Sequence, residues 1–201
     1  MTEAVTIIPH QSRWADEFEA MAERLRAALG DLALSIDHIG STSVPGLAAK
    51  DVIDIQITVA ELDEAVANRL QDAGFERKPF NRDHLPPGSD AAPEQWRKFF
   101  FREPEGLRRA HIHVRRAGSA NQRYALLFRD YLRAHPATVD AYGELKRRLA
   151  AGLADPDSYP DVKDPAVDLI YLAAEQWASQ TVAQRRFGFT KTASTKTADR
   201  N

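Results

Sequence analysis

Cysteine is absent from all 201 residues, which excludes disulfides and thiolate metal centres and is compatible with a reducing compartment. Excess charge is missing too: 27 Lys and Arg stand against 29 Asp and Glu, a formal net charge of −2. No bulk positive field is available to hold a long nucleic acid, so a small or local ligand is favoured. There is no run of 18 or more apolar residues, and Met1-Thr2-Glu3-Ala4 has no basic segment leading into an apolar one. Neither a membrane span nor a secretory leader is expected, and a cytoplasmic location is predicted.

What is present is ordinary for a folded protein. Apolar residues make up 43% and charged residues 28%, close to the globular average. The length suits one well-buried core, which predicts a single domain over residues 1–187. The polar, aperiodic end around Lys191-Thr192-Ala193-Ser194 is expected to be a disordered tail over 188–201.

Periodicity orders the chain. Val5 to Ile8 predicts a short strand ended by Pro9. Ser12 is the expected cap of a helix whose stripe is Trp14, Phe18, Met21, Leu25 and Leu29, with Gly30 as its stop. Leu32 to Ile39 predicts a strand, and Val44 to Ala49 a short helical turn. Val52 to Val59 alternates strictly, with Ile53, Ile55, Ile57 and Val59 on one face and Asp54, Gln56 and Thr58 on the other. A helix over Leu62 to Ala73 is expected next, then strands over Phe75 to Phe80 and Arg97 to Arg102. Between them the polar loop Asn81 to Gln95 is long enough to be either mobile or functional. Arg109 to Arg115 alternates again, with His111, His113 and Arg115 sharing a face. From Ser119 onward the pattern is helical, and Asp164-Pro165 is the expected opening of a last helix reaching about Ala183. The fold class is therefore mixed α/β, a sheet flanked by helices with a helical C-terminal third.

The chemistry concentrates between Gly40 and Asp54. Gly40, Ser41, Thr42 and Ser43 form a small, hydroxyl-rich turn whose backbone N–H groups suit a phosphate, and Asp54 on the following strand suits a divalent cation above it. Singly, each residue has a bland explanation: a tight turn, a helix cap, a solvated aspartate. Together they favour a site, because an acid embedded in an isoleucine-rich strand is unusual. His111 and His113, two apart on one strand face, can reach a common metal with Asp54 and His38. They equally suit hydrogen bonds within the sheet, or contact with a ligand's phosphate. Lys50, Arg109 and Arg115 are available for phosphate; Arg108 is expected to be solvated.

His38-Ile39-Gly40-Ser41-Thr42-Ser43-Val44-Pro45-Gly46-Leu47, with Lys50 and Ile53-Asp54-Ile55, resembles the signature of the GrpB family of the nucleotidyltransferase-like superfamily. Trp14, His111-Ile112-His113-Val114, Phe128-Arg129-Asp130-Tyr131-Leu132, and Tyr159 with Lys163 extend the similarity to about residues 5–180. The resemblance implies a nucleotidyltransferase-type fold. In active members of that superfamily a Gly-Ser turn positions the nucleotide, and carboxylates at i and i+2 of one strand, plus a third on a neighbour, bind two metals. Gly40, Ser41 and Asp54 match that pattern, Gln56 departs from it, and His111 and His113 stand where a third carboxylate is expected. Lys163 joins the phosphate candidates through the resemblance. It also implies relation to domains fused to dephospho-CoA kinase. Three functions are open at this point. The first is a nucleotide-binding, nucleotidyltransferase-like protein using Mg or Mn at Asp54, or Zn if the histidines are ligands. The second is a non-catalytic accessory or folding module associated with coenzyme A biosynthesis. The third is a His/Asp metal-dependent phosphohydrolase.

Overall fold

The computed structural model describes residues 4–187, so the expected tail over 188–201 lies outside the described residues. Helix α1 (Arg13–Leu29) is followed by strand β1 (Ala33–Ile39), β2 (Ile53–Val59), helix α2 (Glu64–Asp72), β3 (Glu76–Lys78), β4 (Phe99–Arg102) and β5 (Ala110–Arg116). Among the described residues three α-helices follow: α3 (Ala120–Ala134), α4 (Pro136–Gly152) and α5 (Tyr159–Phe187). The five strands form one sheet in the order β1-β2-β5-β4-β3. Only β2 and β5 run parallel; the other pairs are antiparallel. The mixed sheet, its flanking helices and the helical C-terminal third agree with the sequence reading.

The alternation in β2 sorts the two faces. Ile53, Ile55, Ile57 and Val59 join Ala110, Ile112 and Val114 of β5 beneath Trp14, Phe18, Met21, Leu25 and Leu29 of α1 and Val66 and Leu70 of α2. Burying those side chains out of water is the main drive for this half of the fold. The opposite face carries Asp54, Gln56 and Thr58 beside His111, His113 and Arg115, and is covered by the C-terminal helices. There a second apolar cluster joins Val44 and Leu47 to Phe128, Leu132, Val139 and Tyr142. The site therefore lies where the polar sheet face meets the helical layer.

Several local expectations differ from the structure. Val5 to Ile8 forms no strand; Ile8 makes an isolated bridge to Ala49. Ser12 sits at the N-cap of α1 in helical conformation and its side chain makes no cap bond. The short helical turn falls at Ser41–Ser43 rather than at 44–49. Gly46 instead takes φ 80° in a tight turn closed by Leu47 N–H to Val44 C=O at 3.2 Å, a conformation suited to glycine. Helix α5 begins at Tyr159, leaving Pro165 inside it. A proline there forfeits one i→i−4 bond, and the preceding 3₁₀ turn Pro156–Ser158, capped by Asp155 onto Asp157 N–H, feeds directly into the earlier start.

Candidate functional site

Parallel pairing of β2 with β5 sets Asp54 opposite His111, Gln56 opposite His113 and Thr58 opposite Arg115. Residues so paired point to the same side of a sheet, so three side chains from each strand line up. Asp54 Oδ1 lies 3.1 Å from His111 Nδ1, which leaves the imidazole's Nε2 directed away from the carboxylate. Strand β1 ends at Ile39, and Gly40 after it turns at φ 67°, ψ −170°, a region essentially open only to glycine. A Cβ at this position would meet the Asp54 carboxylate and sit 2.7 Å from Asp54 Cβ. The turn and the acid are thus in direct contact, with no room for a side chain between them.

Side chains and helices lock the turn from below. Ser43 Oγ donates to the Gly40 carbonyl at 2.6 Å. Arg133 of α3 donates to the Ser43 carbonyl from Nε and Nη2, at 3.0 and 2.8 Å, and Arg129 reaches the His38 carbonyl at 3.1 Å. On α4, Lys146 is 2% exposed and its Nζ donates to Ser41 Oγ at 2.9 Å. Burial, with Lys163 adding repulsion, pushes this ammonium down to about 7. Lys50 lies over the Tyr159 ring, 4.1 Å from its centroid, and is likewise lowered, first by burial and then by Lys163 and Arg109.

These groups open onto one cavity of about 510 Å³, lined among others by Gly40, Ser41, Thr42, Lys50, Asp54, Lys98, His111, His113, Arg115, Lys146, Lys163 and Asp164. That volume is of the size that takes a small organic ligand. Its interior wall is an ion-pair network. Asp83, from the loop before β4, accepts from Lys98 Nζ at 2.6 Å, Arg115 Nε at 2.8 Å and Asn121 Nδ2 at 2.9 Å. Burial works against this carboxylate, but Arg115 and Lys98 outweigh it and hold Asp83 well below the usual range. Gln56, fully buried, accepts from Arg115 Nη1 at 2.7 Å and donates to the Gln122 carbonyl at 3.2 Å. Burial, with Lys98 and Arg115 alongside, pushes His113 well below its ordinary value. Its Nδ1 is 3.2 Å from Lys98 Nζ, so the neutral ring accepts at Nδ1.

The sequence candidates therefore divide. Gly40, Ser41, Thr42, Lys50, Asp54, His111 and Lys163 line the cavity with side chains or backbone turned to it. His113 and Arg115 also border it, but both are engaged in the Asp83 network. Ser43 is buried beneath the turn rather than lining the cavity. Arg109 is exposed outside it. His38 is not brought to Asp54: it pairs with Ile55 in the sheet, so its ring lies on the core face, stacked on Phe18 at 4.7 Å and pushed down to about 4 by burial. The four-residue metal set of Asp54, His111, His113 and His38 is thus not assembled. Among the described residues no cluster of three His, Asp or Glu side chains is arranged to hold a metal. Asp54 is the carboxylate that remains for a cation, oriented by His111 Nδ1 at 3.1 Å, with ligand phosphate oxygens able to complete the coordination. Arg108 is not simply solvated either, since it pairs with Glu17 at 2.7 Å and with Asp51.

Lys146, Asp83 and Lys98 were not singled out by the sequence. Lys146 had a signal: it stands in the apolar stripe Val139, Tyr142, Leu149, where a lysine is out of place. Asp83 lies in an aperiodic loop and had none.

The fold and sequence have known relatives. Dephospho-CoA kinase of Mycobacterium leprae is 38% identical over 191 residues, covering 84% of this chain and 46% of that protein. UPF0157 protein YqkA of Bacillus subtilis is 35% identical over 176 residues, covering 86% and 48%. The chain thus spans about half the length of these curated relatives. The crystal structure of conserved protein GrpB from Enterococcus faecalis superposes with a TM-score of 0.69 at 30% identity, covering 86% of this chain and 99% of that one. A looser likeness to the Cid1 poly(U) polymerase, 14% identical with a TM-score of 0.48 over 72% of this chain and 43% of that one, is too slight to carry an argument. Residues 4–172 match the family model described as GrpB protein, and the chain belongs to the GrpB family.

Proposed function

We propose that this is a cytoplasmic protein that binds a nucleotide or a similar phosphorylated small molecule in the cavity between β2, β5 and the C-terminal helices. One observation carries the reading: Lys50, Lys146 and Lys163 converge on the same cavity as the Gly40-Ser41 turn and Asp54. Clustered, partly desolvated ammonium groups repel one another, and an anion among them relieves both costs. Asp54, with phosphate oxygens of the ligand, would hold Mg or Mn, which would supply charge neutralisation for the phosphoryl group, while His111 hydrogen-bonds the carboxylate through Nδ1. If a group is transferred, His111 is the proton acceptor for an incoming hydroxyl, because its Nε2 faces away from Asp54. His113 is unsuited to that task, with its Nδ1 accepting from Lys98.

The test is thermal shift with ATP, GTP, CTP, UTP and coenzyme A precursors, each with Mg or Mn. Stabilisation by at least one, lost in Asp54→Ala, is expected. No stabilisation by any pairing sinks the proposal.

A non-catalytic accessory role is favoured by one observation. Both polar ends of Gln56 are committed, to Arg115 and to Gln122, so the position where a second metal carboxylate would stand serves the fold instead. The 38% identity over 46% of a dephospho-CoA kinase supports an accessory role in coenzyme A biosynthesis.

A further inference from the structure

A lysine in so enclosed a place ordinarily has a carboxylate partner. Lys146 has none: among the described residues Ser41 Oγ is its hydrogen-bond partner, and the Tyr142 ring lies 4.5 Å below its Nζ. Both contacts are compatible with a neutral amine, and neither balances a full charge. The charged groups around it come from helices α4 and α5, from β2 and from the segment before it; among them Asp164 on α5 lines the same cavity and pairs with Lys163 at 3.4 Å rather than with Lys146. Lys163 on α5 and Arg147 on its own helix α4 oppose its charge, and Asp54 on β2 favours it. Ser41, from the turn after β1, faces it as a neutral hydroxyl. Lys50, before β2, opens onto the same cavity and is itself beside Lys163. The sum is a cation site poised to gain a proton when negative charge arrives.

We propose that the Ser41–Lys146 corner is a proton-coupled anion site: a multiply charged phosphoryl group binds there while Lys146 takes up one proton from solvent onto its Nζ lone pair. Recognition of a terminal phosphate is then built into the α4 wall, apart from Asp54 and His111, and a phosphodiester with a single charge makes a poorer trigger. The inference rests on the phosphate-binding function proposed above, and deepens it by assigning the charge class of the bound end and the residue that titrates.

Burial, with Lys163 opposing its charge, lowers Lys146 to about 7. Affinity for such an anion should therefore fall by about tenfold for each pH unit well above that value. Inorganic pyrophosphate without metal is the probe, titrated calorimetrically in pairs of buffers of different ionisation enthalpy. After correction for the probe's own protonation, wild-type protein is expected to take up close to one proton near pH 8 and much less near pH 6. Lys146→Met, which keeps the unbranched apolar stem and removes the amine, is expected to bind at least about tenfold more weakly at pH 7. No net uptake by wild-type protein, equal affinity in the variant, or no pyrophosphate binding to wild-type protein overturns the proposal. Nucleotide stabilisation without proton uptake defeats this inference alone. Pyrophosphate binding with uptake, but no stabilisation by any nucleotide, defeats the nucleotide reading alone.

Discussion

Replacing Gly40 with alanine tests the contact on which the site is built. Two costs combine. The backbone at φ 67°, ψ −170° is strained for any residue with a Cβ, by about 1–3 kcal/mol. The new methyl carbon would also lie 2.7 Å from Asp54 Cβ and 2.8 Å from Asp54 Cγ, so Asp54 must shift, at about a further 1–3 kcal/mol for an overpacked position. The expected total is about 2–6 kcal/mol, read as a fall in the urea midpoint followed by circular dichroism at 25 °C. A double-mutant cycle separates the terms. In an Asp54→Gly background the obstructing atoms are gone, so Gly40→Ala should cost only the backbone strain, and the difference between backgrounds is the clash. Displacing Asp54 should also remove any stabilisation by nucleotide with metal, although no ligand-facing side chain has been deleted. A cost below about 1 kcal/mol in the wild-type background, or an equal cost in both, would refute the reasoning.

Two further outcomes follow from the ion-pair wall. Gln56→Glu places an oxygen against the Gln122 carbonyl in place of a donor, while Arg115 offsets the new charge only in part; a loss of about 1–3 kcal/mol in urea unfolding is expected, and an unchanged midpoint would contradict it. Asp83→Asn leaves Lys98 and Arg115 without their counter-charge and is expected to cost about 3–5 kcal/mol at neutral pH. Because Asp83 is held below its unfolded value of 3.8, its contribution is present above about pH 4 and drains away as pH falls. The wild-type protein should therefore lose stability more steeply than Asp83→Asn between pH 4 and 2, and parallel profiles would count against the assignment.

The sheet was legible in the sequence where one face is apolar. Strict alternation in β2 and β5 assigned Asp54, His111 and His113 to a common kind of face before any pairing was known. What alternation leaves open is register, and register is what put Asp54 beside His111 rather than His113. His38 escaped for the same reason: antiparallel pairing with Ile55 turned its ring to the core. Asp83 depends on contacts made across 15 to 38 residues of chain, so its place was decided by tertiary packing and not by local pattern. Pro165 lies inside α5 rather than at its start, because the 3₁₀ turn Pro156–Ser158 leads into a helix that begins at Tyr159.

The one parallel strand pair has a consequence for how the protein is made. Asp54 and His111 are 57 residues apart, and the chain between them must lay down α2, β3 and β4 before β5 can slot in beside β2. Closing so long a loop before any contact rewards it is a slow step. The polar face of Asp54 and His111 should therefore mature after the α1–β1–β2 unit has condensed, and a nascent or truncated chain ending before Ala110 would present the Gly40 turn and β2 without the parallel strand β5. Assembly of the Asp54–His111 pair is thus a readout of completed folding.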